Sequence, residues 1–126
     1  MTAERVTPPD ELKADLMQII RKLSTLDGLK PLPQCPGVSA SIVSRDKRRS
    51  SVTVLLQFAP GARLPGHAHI GGESSYVVSG SCRIDDLSLA QGDFHRIEAG
   101  TRHGDVISDD GCVLLITMDE RDYRAA

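Results

Sequence analysis

Tryptophan is absent from these 126 residues, and two phenylalanines and two tyrosines supply all of the aromatic surface. Any core must therefore be mostly aliphatic, and 40% apolar with 25% charged residues is an ordinary globular composition. An excess of charge of one sign is also lacking. Fifteen basic against 17 acidic residues leave a net charge of −2, which argues against an electrostatic grip on nucleic acid or on an anionic membrane surface. The one basic run, Arg45-Asp46-Lys47-Arg48-Arg49, lies between two strand-like segments and reads as a solvated hairpin tip. No apolar run approaches the ~20 residues a membrane span needs. The first residues, Met1-Thr2-Ala3-Glu4-Arg5, lack the basic start and apolar stretch of a secretory signal. Cysteine is scarce: Cys35, Cys82 and Cys112 are widely spaced and form no C-x-x-C pair. That pattern argues against a disulfide framework and points to reduced thiols in a cytoplasmic protein. The length admits one modest core and not two.

What is present divides into two textures. Thr7-Pro8-Pro9-Asp10 is a helix start, with Thr7 as N-cap, Pro8 at the first helical position and Asp10 where the helix dipole favours negative charge. Leu12, Leu16, Ile19, Ile20 and Leu23 then form one apolar face, and Gly28 is a suitable stop. Such a helix must bury its stripe on the rest of the chain or on a second copy, so a homodimer is expected. Residues 30–37 hold three prolines and read as an extended connector. From Val38 onward, short strands alternate with Gly, Pro, Asp and Ser: 40–44, 52–58, 75–78, 82–84, 87–89, 94–97 and 113–117. Many short strands with Gly-rich turns predict an all-β sandwich or barrel. The expected organisation is a helical arm and connector over 1–37 and a β-barrel over 38–126.

The histidines carry the chemistry. His67 and His69 are two apart, and side chains at i and i+2 of an extended strand share a face. Glu73 follows after Ile70-Gly71-Gly72, where glycine permits a tight turn or bulge that can return a carboxylate to the same point. His103 lies in the turn-rich stretch Gly100-Thr101-Arg102-His103-Gly104, from which a return strand can bring it back. Any one of these is most simply a surface histidine. Together, imidazoles and a carboxylate suit Zn, Fe, Mn, Ni or Co. His95 reads either as a surface or partly buried histidine or, facing inward, as an acid/base or orienting group. Arg96 and Arg102 can clamp a carboxylate if inward, and otherwise lie on the outer face. Tyr76 falls on the opposite side of its strand from Glu73.

These spacings resemble the cupin superfamily. Its first motif, G-x5-HxH-x3,4-E-x6-G, is matched at every fixed position by Gly61, His67, His69, Glu73 and Gly80. Its second, G-x5-PxG-x2-H-x3-N, is matched by Gly92, Gly100 and His103, with Glu98 in place of the proline and Ile107 in place of the asparagine. The resemblance covers roughly residues 38–118. It implies a jelly-roll barrel, or double-stranded β-helix, with one divalent metal ion held by His67, His69, Glu73 and His103. The altered proline puts the shape of one turn in question. Pro36-Gly37-Val38, the run 58–73 and Asp110-Gly111-Cys112 are further similar to the ChrR-type cupins, in which the barrel can be the C-terminal half of a zinc-dependent anti-sigma factor. That family's sigma-binding half is helical and carries its own zinc ligands. The 37 residues before the barrel here hold one cysteine and no histidine, so the anti-sigma role is not carried over.

Two functions follow as expectations. One is a metal-dependent, oxygenase-like enzyme acting on a small dicarbonyl or carboxylate compound in the barrel. The other is a non-catalytic metal or oxidative-stress sensing module, which would favour zinc in a closed site.

Overall fold

The computed structural model describes residues 26–125. The helix expected from Thr7, with its stripe from Leu12 to Leu23, lies outside the described residues. The described chain forms nine strands and one short helix: β1 (Lys30–Pro31), β2 (Val38–Asp46), β3 (Ser51–Phe58), β4 (Ala62–Leu64), β5 (Glu73–Ile84), β6 (Leu87–Ala90), β7 (Phe94–Ile97), β8 (Val106–Ser108), β9 (Cys112–Asp119) and α1 (Glu120–Ala125). Among the described residues no helix is long and apolar enough to cross a membrane.

Every strand pair is antiparallel. The sheet runs β1-β2-β3-β9-β5-β8-β4, with β6 and β7 also bonded to β5. Strand β5 is the hinge of this arrangement. Its first half pairs with β9 and β7, and its last residues pair with β6 and β8. The sheet therefore curls over on itself, as the expected jelly-roll barrel requires.

The period-2 pattern of β3 explains its burial. Val52, Val54, Leu56 and Phe58 face the core, and they meet Leu114, Ile116 and Met118 of the neighbouring β9. Val38, Ala40, Val77, Ile84 and Val106 complete an interior in which Phe58 is the one buried aromatic. Each fully buried aliphatic side chain contributes about 1.5–3 kcal/mol. The basic run forms the exposed β2–β3 turn, as expected, with Asp46 accepting from the Arg49 backbone N–H at 3.2 Å and pairing with its guanidinium at 2.8 Å.

The structure corrects several expectations. The segments at 75–78 and 82–84 are not separate strands. Strand β5 runs through Gly80, with a register shift between Val77 and Ser79 marking a bulge. Gly80 has φ +76°, and a Cβ there would collide with the carbonyl oxygen of Gly111. A glycine that looks like a turn signal is here the bend that carries one strand from one sheet to the other. Strands β4 and β8 were not expected, because three residues are too few to show a period. The proline-rich connector contributes β1 and a buried Cys35. Helix α1 was also missed.

Gly80→Ala is expected to destabilise the chain by about 1–3 kcal/mol, from a left-handed backbone combined with the clash. Urea unfolding monitored by circular dichroism measures this, and an unchanged midpoint would show that the bend tolerates a side chain.

Candidate metal centre

Two loops build the site by pairing their backbones. The H-x-H segment is extended but forms only a single bridge, Ala68 with Arg102, outside the named strands. Around that bridge His69 N donates to Thr101 O at 2.9 Å, Gly100 N to His69 O at 2.8 Å and His103 N to His67 O at 3.3 Å. The alternation argued from the sequence still holds, because the backbone is extended. Gly66 makes the approach feasible: a Cβ on it would run into the carbonyl oxygen of His103 and the backbone of Gly104. The second-motif turn keeps its form without proline. Thr101 donates from its hydroxyl to Glu98 O at 2.6 Å, and Gly100 supplies φ +79°.

All four sequence-derived candidates converge. His67, His69, Glu73 and His103 each offer a ligand atom, and these lie within 4.8 Å of one another. The imidazole centroids are 4.5, 4.8 and 4.9 Å apart. His69 Nε2 lies 2.9 Å from His103 Nε2 and 3.2 Å from a Glu73 carboxylate oxygen. His69 and His103 are buried, while His67 and Glu73 are half-buried.

The surroundings assign the tautomers. Carbonyl oxygens only accept, so His67 Nδ1 facing Pro65 O at 3.1 Å and His103 Nδ1 facing Gly104 O at 2.6 Å both carry protons. His69 Nδ1 faces an oxygen of Asp122 at 3.6 Å, which favours a proton there too. The three Nε2 atoms then present lone pairs toward one another and toward a carboxylate. Burial, with the neighbouring imidazoles adding to it, lowers the His69 pKa; burial is also the main cause that lowers that of His103. Burial likewise raises the Glu73 pKa. Imidazole nitrogens and a carboxylate gathered within 4.8 Å are a donor set that a divalent cation would satisfy.

The site opens on a cavity of about 180 Å³ inside the barrel. Val54, Leu56, Leu114, Ile116 and Met118 form its apolar walls. Pairing of Ser75 with His95 across β5 and β7 places both on the same inner face, and both line this cavity. The inward reading of His95 is thus the one observed. Arg96 faces outward, donating to Ser74 Oγ at 2.9 Å and pairing with Glu98 at 3.0 Å. Arg102 is exposed on a separate rim, and Tyr76 is exposed opposite Glu73 as expected. Two site residues were missed, Asp122 and Tyr123 of α1, both of which reach the cavity. An available signal was Asp119 followed by an acidic first turn and Arg124 at the helix end.

With the geometry in hand, comparison places the fold as that of a cupin. The sequence matches the ChrR cupin-like domain family over residues 22–120, and the chain belongs to that family. An acetylacetone dioxygenase from Acinetobacter johnsonii has the same fold, with TM-score 0.67 and 14% identity over 94% of this chain and 74% of that one. An RmlC-like cupin from Ralstonia eutropha JMP134 is 26% identical, with TM-score 0.65, over 75% of this chain and 66% of its own. The complex of Rhodobacter sphaeroides SigE with the anti-sigma factor ChrR contributes a match with TM-score 0.65 and 19% identity, over 94% of this chain and 71% of that one. No curated protein matches the sequence.

Gly66→Ala is expected to cost about 1–3 kcal/mol through overpacking against the 103–104 backbone. Arg96→Ala, on the outer face, is expected to stay within about 0.5 kcal/mol of the parent. Parallel urea titrations measure both, and equal midpoints for the two variants would contradict the close approach of the loops.

Proposed function

We propose that this chain is a metal-dependent, oxygenase-like enzyme. It takes one divalent metal ion on His67, His69, Glu73 and His103 and a small neutral dicarbonyl compound in the barrel. The observation that carries this reading is the cavity beside the four donors. At about 180 Å³ it admits a small molecule. Among the described residues neither lysine nor arginine lines it. A carboxylate group held away from the metal ion would be buried there without a counter-charge, at a cost of several kcal/mol. A neutral dicarbonyl avoids that cost, and its substituents can rest on Val54, Leu56, Leu114 and Ile116. Of the two substrate classes expected from the sequence, the dicarbonyl is therefore preferred.

A redox-active ion such as iron, manganese or nickel would supply Lewis acidity and one-electron chemistry. The chain's own residues do the rest. The aliphatic walls exclude water. His95 and Ser75 face the ligand and can hold one of its oxygens by a hydrogen bond. The shared fold with an acetylacetone dioxygenase supports this assignment. Three free and buried thiols support a cytoplasmic setting.

A second reading, a non-catalytic metal or oxidative-stress sensing module, is favoured by membership of the ChrR cupin-like family. Metal identity separates the two. Elemental analysis with an EPR spectrum is expected to find iron, manganese or nickel, and the loaded protein is expected to consume oxygen with at least one member of a panel of small diketones. Zinc with no oxygen uptake across the panel would favour the sensor.

Metal at 100 times its Kd is expected to add about 2.7 kcal/mol of stability, several degrees in Tm. His103→Ala is expected to lose that increment, and differential scanning calorimetry with and without chelator tests it. A variant that keeps the full shift would remove His103 from the ligand set.

We further propose that the chain forms a homodimer. Phe94 is 63% and Tyr76 44% exposed, and they are direct neighbours across β5 and β7 on the outer face. Half of the aromatic residues of an aromatic-poor chain are thus placed in one exposed pair. Light scattering at micromolar concentration is expected to give the dimer mass, and Phe94→Ser to shift it toward the monomer. A monomeric parent would overturn this.

A further inference from the structure

Asp122 combines three features that helix packing alone does not require. It is 3% exposed although it is a carboxylate on a six-residue helix. Its Oδ1 accepts from Ile70 N at 2.8 Å and its Oδ2 from Gly71 N at 3.0 Å. The same Oδ2 lies 3.6 Å from His69 Nδ1, a buried side-chain atom with no hydrogen-bond partner. Ile70 and Gly71 are two of the three residues between His69 and Glu73. One carboxylate therefore clamps the chain segment between two candidate ligands and stands beside the back of one of them, the His69 ring. Tyr123, the next residue, lines the cavity.

We infer that Asp122 is a positioning residue through which the metal centre and helix α1 hold each other in place. This rests on the metal-site reading above. In one direction, the carboxylate accepts the Nδ1 proton of His69, which keeps the Nε2 lone pair toward the ion and raises its basicity. The clamp on Ile70 and Gly71 fixes the spacing of His69 and Glu73. In the other direction, an ion on His69 Nε2 makes Nδ1–H a stronger donor, so the contact at 3.6 Å shortens to a charge-assisted hydrogen bond. Helix α1 is then anchored, and Tyr123 with it, so occupancy of the metal centre and closure of one cavity wall are linked.

The test needs no turnover. Apo wild-type protein is loaded with zinc, and affinity is read by competition with a chromophoric chelator while backbone amide exchange is followed by mass spectrometry. Zinc is expected to slow exchange in 67–73, in 100–104 and also in 120–124. In Asp122→Asn only one side-chain oxygen remains, so an NH2 that cannot accept must face either Ile70 N–H or Gly71 N–H and His69. That variant is expected to bind zinc 10–100-fold more weakly and to lose the slowing in 120–124. Arg124→Ala, at the exposed end of the same helix, is expected to bind as wild type does. Failure of the wild type to bind zinc would overturn the metal-site reading itself. Zinc binding that protects the two loops but leaves 120–124 unchanged in the wild type would overturn the linkage and leave that reading intact, without depending on how the variant folds. Equal affinity of Asp122→Asn and wild type would remove Asp122 as a positioning residue.

Discussion

The short backbone pairing between the His67–His69 loop and the Gly100–His103 loop is the constraint on which the rest of the site depends. Three hydrogen bonds join segments that are far apart in sequence. They bring three imidazoles within 5 Å of one another, centroid to centroid. Nothing in either loop alone would hold that arrangement, since neither forms a strand of useful length. Gly66 permits the approach, and the bond from Thr101 to Glu98 rigidifies the far side. The barrel brings the loops together, and the loops in turn close one end of the barrel.

That closure creates an electrostatic demand. Three imidazoles with Nδ1 directed to oxygen atoms turn their Nε2 atoms inward, beside a half-buried carboxylate. Burial lowers the pKa of His69 and His103, so protonating these imidazoles relieves the demand poorly; it raises that of Glu73, whose carboxylate is costly while it stays ionised. A cation relieves it directly. The adjoining cavity carries the opposite message: its walls are aliphatic, and no cationic side chain among the described residues lines it. Charge is concentrated at one wall, and the remainder of the volume suits an uncharged molecule.

Much of this was legible in the residues. The alternating β3 sequence Ser51-Val-Thr-Val-Leu-Leu-Gln-Phe58 showed its period, and the H-x-H spacing placed two imidazoles on one side. Side-chain alternation also put Tyr76 opposite Glu73. Elements of three residues, β4 and β8, left no periodic trace. Gly80 misled, because a glycine at a bulge and a glycine at a turn look alike until the strand's partners are known. The orientation of His95 waited on the register of β7 against β5. Asp122 could not be found from the histidine motifs, since it reaches the site from a helix 52 residues further along the chain than Ile70.

The sequence by itself determined the candidate ligand types, their spacing and the family, because these depend on covalent order and on the two-residue period of an extended chain. Tertiary structure alone decided which way each Nδ1 is tied, that no lysine or arginine among the described residues lines the cavity, that half of the aromatic residues lie paired on the outer face, and that the side-chain carboxylate of Asp122 stands behind His69. Those are properties of neighbours in space. They arise where strands distant in sequence are brought into register, and no local pattern encodes that register.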